Sequence, residues 1–282
     1  MASSRVSFVM AKARQFKEFL PAILAHPPKG EVTTVIGGQA VNYWCEQAHK
    51  KNPELASYRP FTSGDLDVVA RERAQTLAIA KATGLKLVEV EQGYAGTDRA
   101  ALVDTSGEKP ETVIQVLGGM YGVTDRDLER DTAEVVIRDK HGKERIAKIA
   151  NRTALIKGKI ALALAPDGVR NAIDKEHDRF HLKLLILCMA VATRDLMEGI
   201  GKVHDERAVI KSLKALLKVI CSNEAKRVSA IDPSVVWKRA IAPEILRVNS
   251  AHHPKLFHYV ASEILPWIHP QKSARHKKPC PS

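Results

Sequence analysis

Hydrophobic positions change their period along the chain, and the change divides it near residue 150. Residues 8 to 25 carry apolar side chains at helical spacing, up to a stop at His26-Pro27-Pro28-Lys29-Gly30. Glu31 to Ile36 is short and β-branched, as a buried strand is, and Gly37-Gly38 follows. Helical spacing returns from Gln39 to Lys51 through Val41, Trp44, Cys45 and Ala48, and residues 52 to 64 form a polar connection containing proline. Asp65 to Ala70 predicts a strand and Arg73 to Thr83 a helix. Strands are then expected at 85 to 90, 100 to 103, 112 to 117, 133 to 138 and 144 to 149, the last two flanking the turn Lys140-His141-Gly142.

After Asn151 the period is helical almost throughout. Helices are expected at about 151 to 165, 168 to 199 (with a possible break), 205 to 222, 233 to 248 and 253 to 267. The tail 269 to 282 is basic and proline-containing, with the composition of a disordered segment. The expected fold class is α+β: a mixed sheet domain over 1 to 150 with an N-terminal helix, then a helical domain over 151 to 268.

Charge sharpens that division. The chain holds 44 Lys plus Arg against 32 Asp plus Glu, a net +12. From residue 151 onward there are 23 basic and 12 acidic residues, so +11 of the excess lies in the helical half. A basic helical half implies an anionic partner such as RNA, DNA or an acidic protein, although basic helices are also simply well solvated. No apolar run reaches the roughly 20 residues of a membrane span. The N-terminus lacks a signal-peptide pattern, and Cys45, Cys188, Cys221 and Cys280 form no CxxC pair. A reducing, cytoplasmic setting without membrane association is expected.

Two short patterns carry chemistry. In Asp65-Leu66-Asp67, strand alternation puts both carboxylates on one face, where they repel and call for a cation. Mg²⁺ (or Mn²⁺) suits them, because it takes oxygen ligands from one or two carboxylates plus substrate phosphates. Gly37-Gly38, between a buried strand and a helix, lets backbone approach a ligand and presents helix N–H groups to phosphate. Alone, each pattern is common in exposed strand faces and ordinary turns.

In this order, the two resemble the signature of the nucleotidyltransferase superfamily. Val35-Ile36-Gly37-Gly38-Gln39-Ala40-Val41 followed by Thr62-Ser63-Gly64-Asp65-Leu66-Asp67-Val68 is similar to the toxin-type nucleotidyltransferases of the AbiEii/AbiGii group, which include MenT-like enzymes. The resemblance covers about residues 30 to 190. It implies a nucleotidyltransferase-type sheet domain and Asp65 and Asp67 as catalytic metal ligands. It also implies NTP as substrate, with Gly37, Gly38 and Ser63 near its phosphates. Lys159, or alternatively Lys157, matches the family's phosphate-contacting lysine. Asp178, or alternatively Asp174, matches a later aspartate that positions that lysine or the acceptor. An RNA acceptor such as a tRNA 3′ end, and a cognate antitoxin protein, are implied partners. The sequence departs from the pattern in two places. The connection from Gly38 to Asp65 is long, with Asn52 to Pro60 as a lid, an insertion or a mispairing. Where a third carboxylate would act as general base, the strand offers Gln115, so Asp104, Glu89 or Glu91 would have to stand in.

Arg170, Lys175, Arg179, Lys183, Lys211, Lys214 and Lys218 are candidate RNA phosphate contacts. His177 and His181 share a helical face, but no His-Glu-x-x-His pattern surrounds them, and His252, His253 and His258 are read as ordinary histidines. Three functions stay open: NMP transfer to RNA, the same transfer to a small molecule or protein hydroxyl, and a catalytically inactive nucleic-acid-binding relative.

Overall fold

The computed structural model of the chain describes residues 13–25, 32–89, 98–107, 110–138 and 141–269. The first α-helix among the described residues is the one-turn α1 (Leu20–Ile23), followed by β1 (Thr34–Ile36), α2 (Gly37–Ala48) and a one-turn α3 (Pro53–Ala56). There follow β2 (Leu66–Val69), α4 (Arg73–Thr83), β3 (Lys86–Glu89), β4 (Asp98–Asp104), β5 (Glu111–Leu117), α5 (Asp125–Arg130), β6 (Thr132–Arg138) and β7 (Glu144–Ala150). The remainder is helical: α6 (Arg152–Ala163), α7 (Ala172–Glu198), α8 (Glu206–Ile220), α9 (Asn223–Ile231), α10 (Pro243–Leu246), α11 (Pro254–Tyr259) and α12 (Leu265–Ile268), with a π turn over Val260–Ile264. The class is α+β. No helix of the described residues is long and apolar enough to cross a membrane.

The chain forms two compact units, residues 1–46 with 59–158 and residues 47–58 with 159–282. The expected division at 150/151 falls at the end of β7, whereas the units divide within α6.

In the first unit the seven strands form one mixed sheet, ordered β3-β4-β5-β2-β1-β7-β6. β1 runs antiparallel to β2 and parallel to β7, and β2 runs parallel to β5. The central strands bury β-branched and leucine side chains completely, among them Val35, Leu66, Val68, Val116 and Ile149. Burial of each such side chain contributes about 1.5–3 kcal/mol. α2 covers its core face with Ala40, Val41, Trp44 and Cys45, and the Trp44 indole N–H donates to Ala150 O at 2.9 Å. α4 starts at a capping box between Glu72 and Gln75 and stops at Gly84, whose φ of 70° is left-handed.

The single helix expected over 8 to 25 is not what residues 13–25 form, and residues 8 to 12 lie outside the described residues. Arg14 instead makes an antiparallel bridge with Ser63, and only a 3₁₀ turn (Phe16–Phe19) and α1 follow. The reason lies in long-range backbone pairing: Arg14 N–H donates to Ser63 O at 2.9 Å and Ser63 N–H to Arg14 O at 3.0 Å. α5, which the periodicity did not reveal, rests on a Thr124 cap that accepts from the Asp127 N–H.

In the second unit α7 runs unbroken for 27 residues from an Asn171 cap, burying Leu182, Leu184, Leu185, Ile186 and Leu187. α8 is amphipathic and buries Val209, Leu213, Leu216 and Leu217. A helix over 233 to 248 was expected and is corrected. The regular helix is α9, capped by Ser222, while 237–240 is a 3₁₀ turn and α10 a single turn. Pro233 and Pro243 break the stretch, and the Trp237 indole anchors it by donating to Ala225 O at 2.8 Å. Segment 47–58 belongs to this unit because Lys51 pairs with Asp195 at 2.7 Å, Glu54 pairs with Arg239, and Leu55 is fully buried. The long connection after Gly38 thus contains α3, docked on the helical unit. The tail from residue 270 lies outside the described residues.

Candidate functional site

The first-unit site sits where β1 ends and β2 begins. Ile36 is in register with Asp67, so the chain turns into α2 at Gly37 directly beside the Asp67 side chain. Gly37 has φ +65°, and a Cβ there would stand 1.7 Å from Asp67 Oδ2. The glycine is thus demanded twice, by a left-handed backbone and by a carboxylate lying against it. The first turn of a helix carries N–H groups without intrahelical partners and the positive end of the helix dipole, so this carboxylate lies where negative charge is favoured.

Asp67 is also in register with Gln115 on β5, which puts the two on one face of the sheet. The Gln115 amide donates to Asp65 Oδ2 at 2.8 Å, so Asp65 reaches that same face. The expectation that Asp65 and Asp67 project together therefore has a geometric basis here. Both are half-buried, flanked by the buried Leu66 and Val68. Gln115 stands where the third carboxylate was sought, and its amide has no proton-accepting capacity at neutral pH. Of the substitutes, Glu89 sits on edge strand β3 and pairs with Arg73, and Asp104 lies two strands from β2 and caps the Ser106 N–H at 2.8 Å. Two strand spacings are about 9.5 Å, so neither stands beside Asp65. Glu91 lies outside the described residues.

A buried polar network fixes the turn that delivers Asp65. Gln39, fully buried in the first turn of α2, donates to Arg14 O at 3.1 Å and Ser63 O at 3.3 Å, and accepts from Asn42 at 3.3 Å. The Arg14 guanidinium donates to Gly64 O at 3.2 Å and pairs with Glu111 at 3.0 Å. Ser63 is 8% exposed with both backbone groups taken up by Arg14, so what it contributes to the turn is its backbone. Arg14, Gln39, Asn42 and Glu111 were not identified from the sequence. Gln39 alone left a trace, a polar residue at a core-facing position beside Gly37-Gly38. Lys157 ends on Asp127 at 3.2 Å, and this contact, more than burial opposes it, lowers the Asp127 carboxyl below its ordinary value.

The second unit holds a buried charge cluster on α6 and α7. Lys159 Nζ donates to Asp178 Oδ1 at 2.6 Å, and Arg170 reaches the same carboxylate through Nε at 2.8 Å and Nη2 at 3.3 Å. Asp178 is 0% and Lys159 5% exposed, so the carboxylate holds one cation away from water, while Arg170 reaches it from a partly exposed position. The rival aspartate, Asp174, is tied to the Asn171 cap and lies 3.8 Å from Arg170. One and two turns along α7 from Asp174, the His177 and His181 rings lie 4.2 Å apart, tilted by 47°. His181 is fully buried with Nδ1 lacking a hydrogen-bond partner, and desolvation first, then the Lys159 charge, push its pKa well below 6.5. His177 is lowered by the same two causes.

The candidate RNA contacts separate into two groups. Arg170 is committed to Asp178, Lys175 to Asp167 at 2.6 Å, and Lys183 to Asp232 at 3.1 Å, with Arg179 4.0 Å from that same aspartate. Lys211, Lys214 and Lys218 form, with Arg207, an exposed stripe on α8 at spacings of four, three and four. Among the described residues none of these four has a carboxylate within 4.0 Å, although Lys214 lies 5.6 Å over the Tyr259 ring. Among the described residues no group of three or more His, Cys, Asp or Glu could hold a metal by itself. No family model matches the chain, and no curated protein or solved structure matches it.

Proposed function

We propose that the chain is a divalent-metal-dependent nucleotidyltransferase that moves an NMP from an NTP to an acceptor hydroxyl, with RNA as the acceptor. The observation that carries this reading is the Asp67 carboxylate lying against Gly37 at the start of α2, with Asp65 on the same face. Helix N–H groups at the start of α2 suit a phosphate chain, and the acidic pair beside them, with Asp67 packed against Gly37, suits a hard cation. Asp65 and Asp67 would hold Mg²⁺, whose remaining ligands would be phosphate oxygens and water. The bound ion would supply neutralisation of charge on the triphosphate.

The chain's own residues do the rest by positioning. Gln115 orients Asp65 through its amide, and Gln39 and Arg14 fix the turn before it. The acceptor oxygen forms a bond to the α-phosphorus as the bond to pyrophosphate breaks, and the hydroxyl proton passes to a base other than Gln115. Lys159 and Asp178 are given no phosphate contact in this reading, since a lysine 5% exposed and paired at 2.6 Å is poorly placed to meet solvent-borne phosphate. The free stripe on α8 supports an RNA acceptor, because cations without carboxylate partners keep their charge for phosphates.

Purified protein given each labelled NTP with Mg²⁺ should label tRNA or total RNA, and the Asp65→Ala plus Asp67→Ala variant should not. Equal labelling by that variant sinks the proposal. Labelling of the protein itself, or of a small hydroxylated compound without RNA, keeps the chemistry and replaces the acceptor. A second reading, an inactive RNA-binding relative, is favoured by Gln115 alone. Salt-sensitive RNA binding with no turnover of any NTP would establish it.

A further inference from the structure

We propose that β6 is a self-association edge, along which two copies of this chain join antiparallel about a two-fold axis through Val136. This is independent of the nucleotidyltransferase reading. β6 ends the sheet, and among the described residues only β7 pairs with its backbone. Sheet edges are ordinarily protected by shortness, charged side chains, proline or bulges. β6 has seven residues in unbroken register with β7, and the charges it exposes are of opposite sign, Glu134 and Arg138, the latter also 3.4 Å from Glu144 of its own chain. On its solvent face Val136 is 64% exposed and its cross-strand partner Ile146 54% exposed, an apolar pair left in water.

The order of side chains along β6 selects the partner. Glu134, Val136 and Arg138 share one face. With Val136 opposite itself, Glu134 faces Arg138 of the second copy and Arg138 faces its Glu134. On the other face Val135 meets Ile137 in both directions. Opposite charges and β-branched pairs placed directly across an antiparallel ladder are each favourable, and like charges there are unfavourable. Sliding the axis to Val135 removes both Glu–Arg pairs and sets Glu134 against Val136, so the charges disfavour that register. A second copy of this chain therefore pairs the five positions Glu134 to Arg138 with their own counterparts and joins the two seven-stranded sheets into one.

The full chain should elute from size exclusion with light scattering at twice its 31.1 kDa, in a concentration-dependent way. Val136→Glu opposes two carboxylates at the axis and should weaken the dimer by about tenfold or more, with an unchanged circular dichroism spectrum, since the position is exposed. Register is read by disulfide trapping in a Cys280→Ser background. Val136→Cys should trap a dimer by itself. Glu134→Cys should not, but should trap a heterodimer when mixed with Arg138→Cys. A monomeric mass at every concentration overturns the proposal, as does a dimer that Val136→Glu leaves intact or that Val136→Cys fails to trap.

Discussion

Replacing Gly37 by alanine separates the fold from the chemistry, and Gly84→Ala is its control. Both glycines have positive φ, +65° and +70°. A Cβ in the left-handed region costs about 1–2 kcal/mol at either position. The surroundings differ: nothing lies within 4 Å of a Cβ at Gly84, while at Gly37 it meets Asp67 Oδ2 at 1.7 Å and Asp67 Cγ at 2.6 Å. Ordinary contact begins near 3.4 Å. The carboxylate must therefore retreat by well over an ångström, at a further cost of about 0.5–1.5 kcal/mol if it leaves its rotamer. For a chain of this size each kcal/mol corresponds to about 2–4 °C in melting temperature. Gly84→Ala should melt a few degrees early, and Gly37→Ala a few degrees earlier still. The activities should diverge far more. A group misplaced by about 1 Å can cost about 100-fold in rate, so Gly37→Ala should lose at least that much NMP transfer while Gly84→Ala keeps nearly all of it. Initial rates with Mg²⁺ and the preferred NTP, measured below both melting transitions, make the comparison. If Gly37→Ala melts early but transfers as fast as Gly84→Ala, Asp67 is not a metal ligand and the proposed site is wrong.

Asp178→Asn removes the counter-charge of a buried Lys159 and should destabilise the protein by about 3–5 kcal/mol, read as a large fall in the denaturation midpoint, whereas Asp174→Asn should have a far smaller effect. His181 and His177 are held neutral in the fold, with pKa values below 6.5, so the unfolded chain binds protons that the folded chain does not. The contribution of buried His181 to stability is complete above pH 6.5 and falls as pH drops from there toward its lowered folded value, by at most about 1.4 kcal/mol per pH unit, and the exposed His177 adds less. His181→Phe should flatten that acid limb in melts between pH 7 and pH 5, and an unchanged slope would show that His181 is not the buried neutral group described. Lys211→Gln with Lys218→Gln should weaken RNA binding and reduce the salt slope by about 1.4, at roughly 0.7 per single-strand phosphate contact. The same changes at Arg179 and Lys183, already beside Asp232, should do less. Equal effects from both pairs would remove the argument for the α8 stripe.

Much of the site was legible because it is local. Strand alternation puts Asp65 and Asp67 on one face, and a strand-to-helix turn at Gly37-Gly38 needs only β1 and α2, which adjoin in the chain. What escaped is made by contacts distant in sequence. Gln39 is an unremarkable polar residue until Arg14 and Ser63 present their carbonyls to it. Seven cations looked equivalent as phosphate ligands, and their local spacing could not reveal which ones face a carboxylate. Asp232, distant in sequence, occupies Lys183, whereas among the described residues no carboxylate lies within 4.0 Å of Lys211. Helix boundaries failed where backbone partners or prolines overrode period, as at residues 13–25 and 233–248.

By itself the sequence determined the alternation of strand and helix, the concentration of positive charge after residue 150 and the pairing of two acids with two glycines, because each depends on neighbours within a few positions. Only the tertiary structure decided that Asp67 lies against Gly37, that Gln115 holds Asp65, and that a buried Asp178 joins Lys159 to Arg170. The strand order sets β1, which leads into Gly37, beside β2 with Asp67 and β2 beside β5 with Gln115, and no periodicity encodes which strands are neighbours.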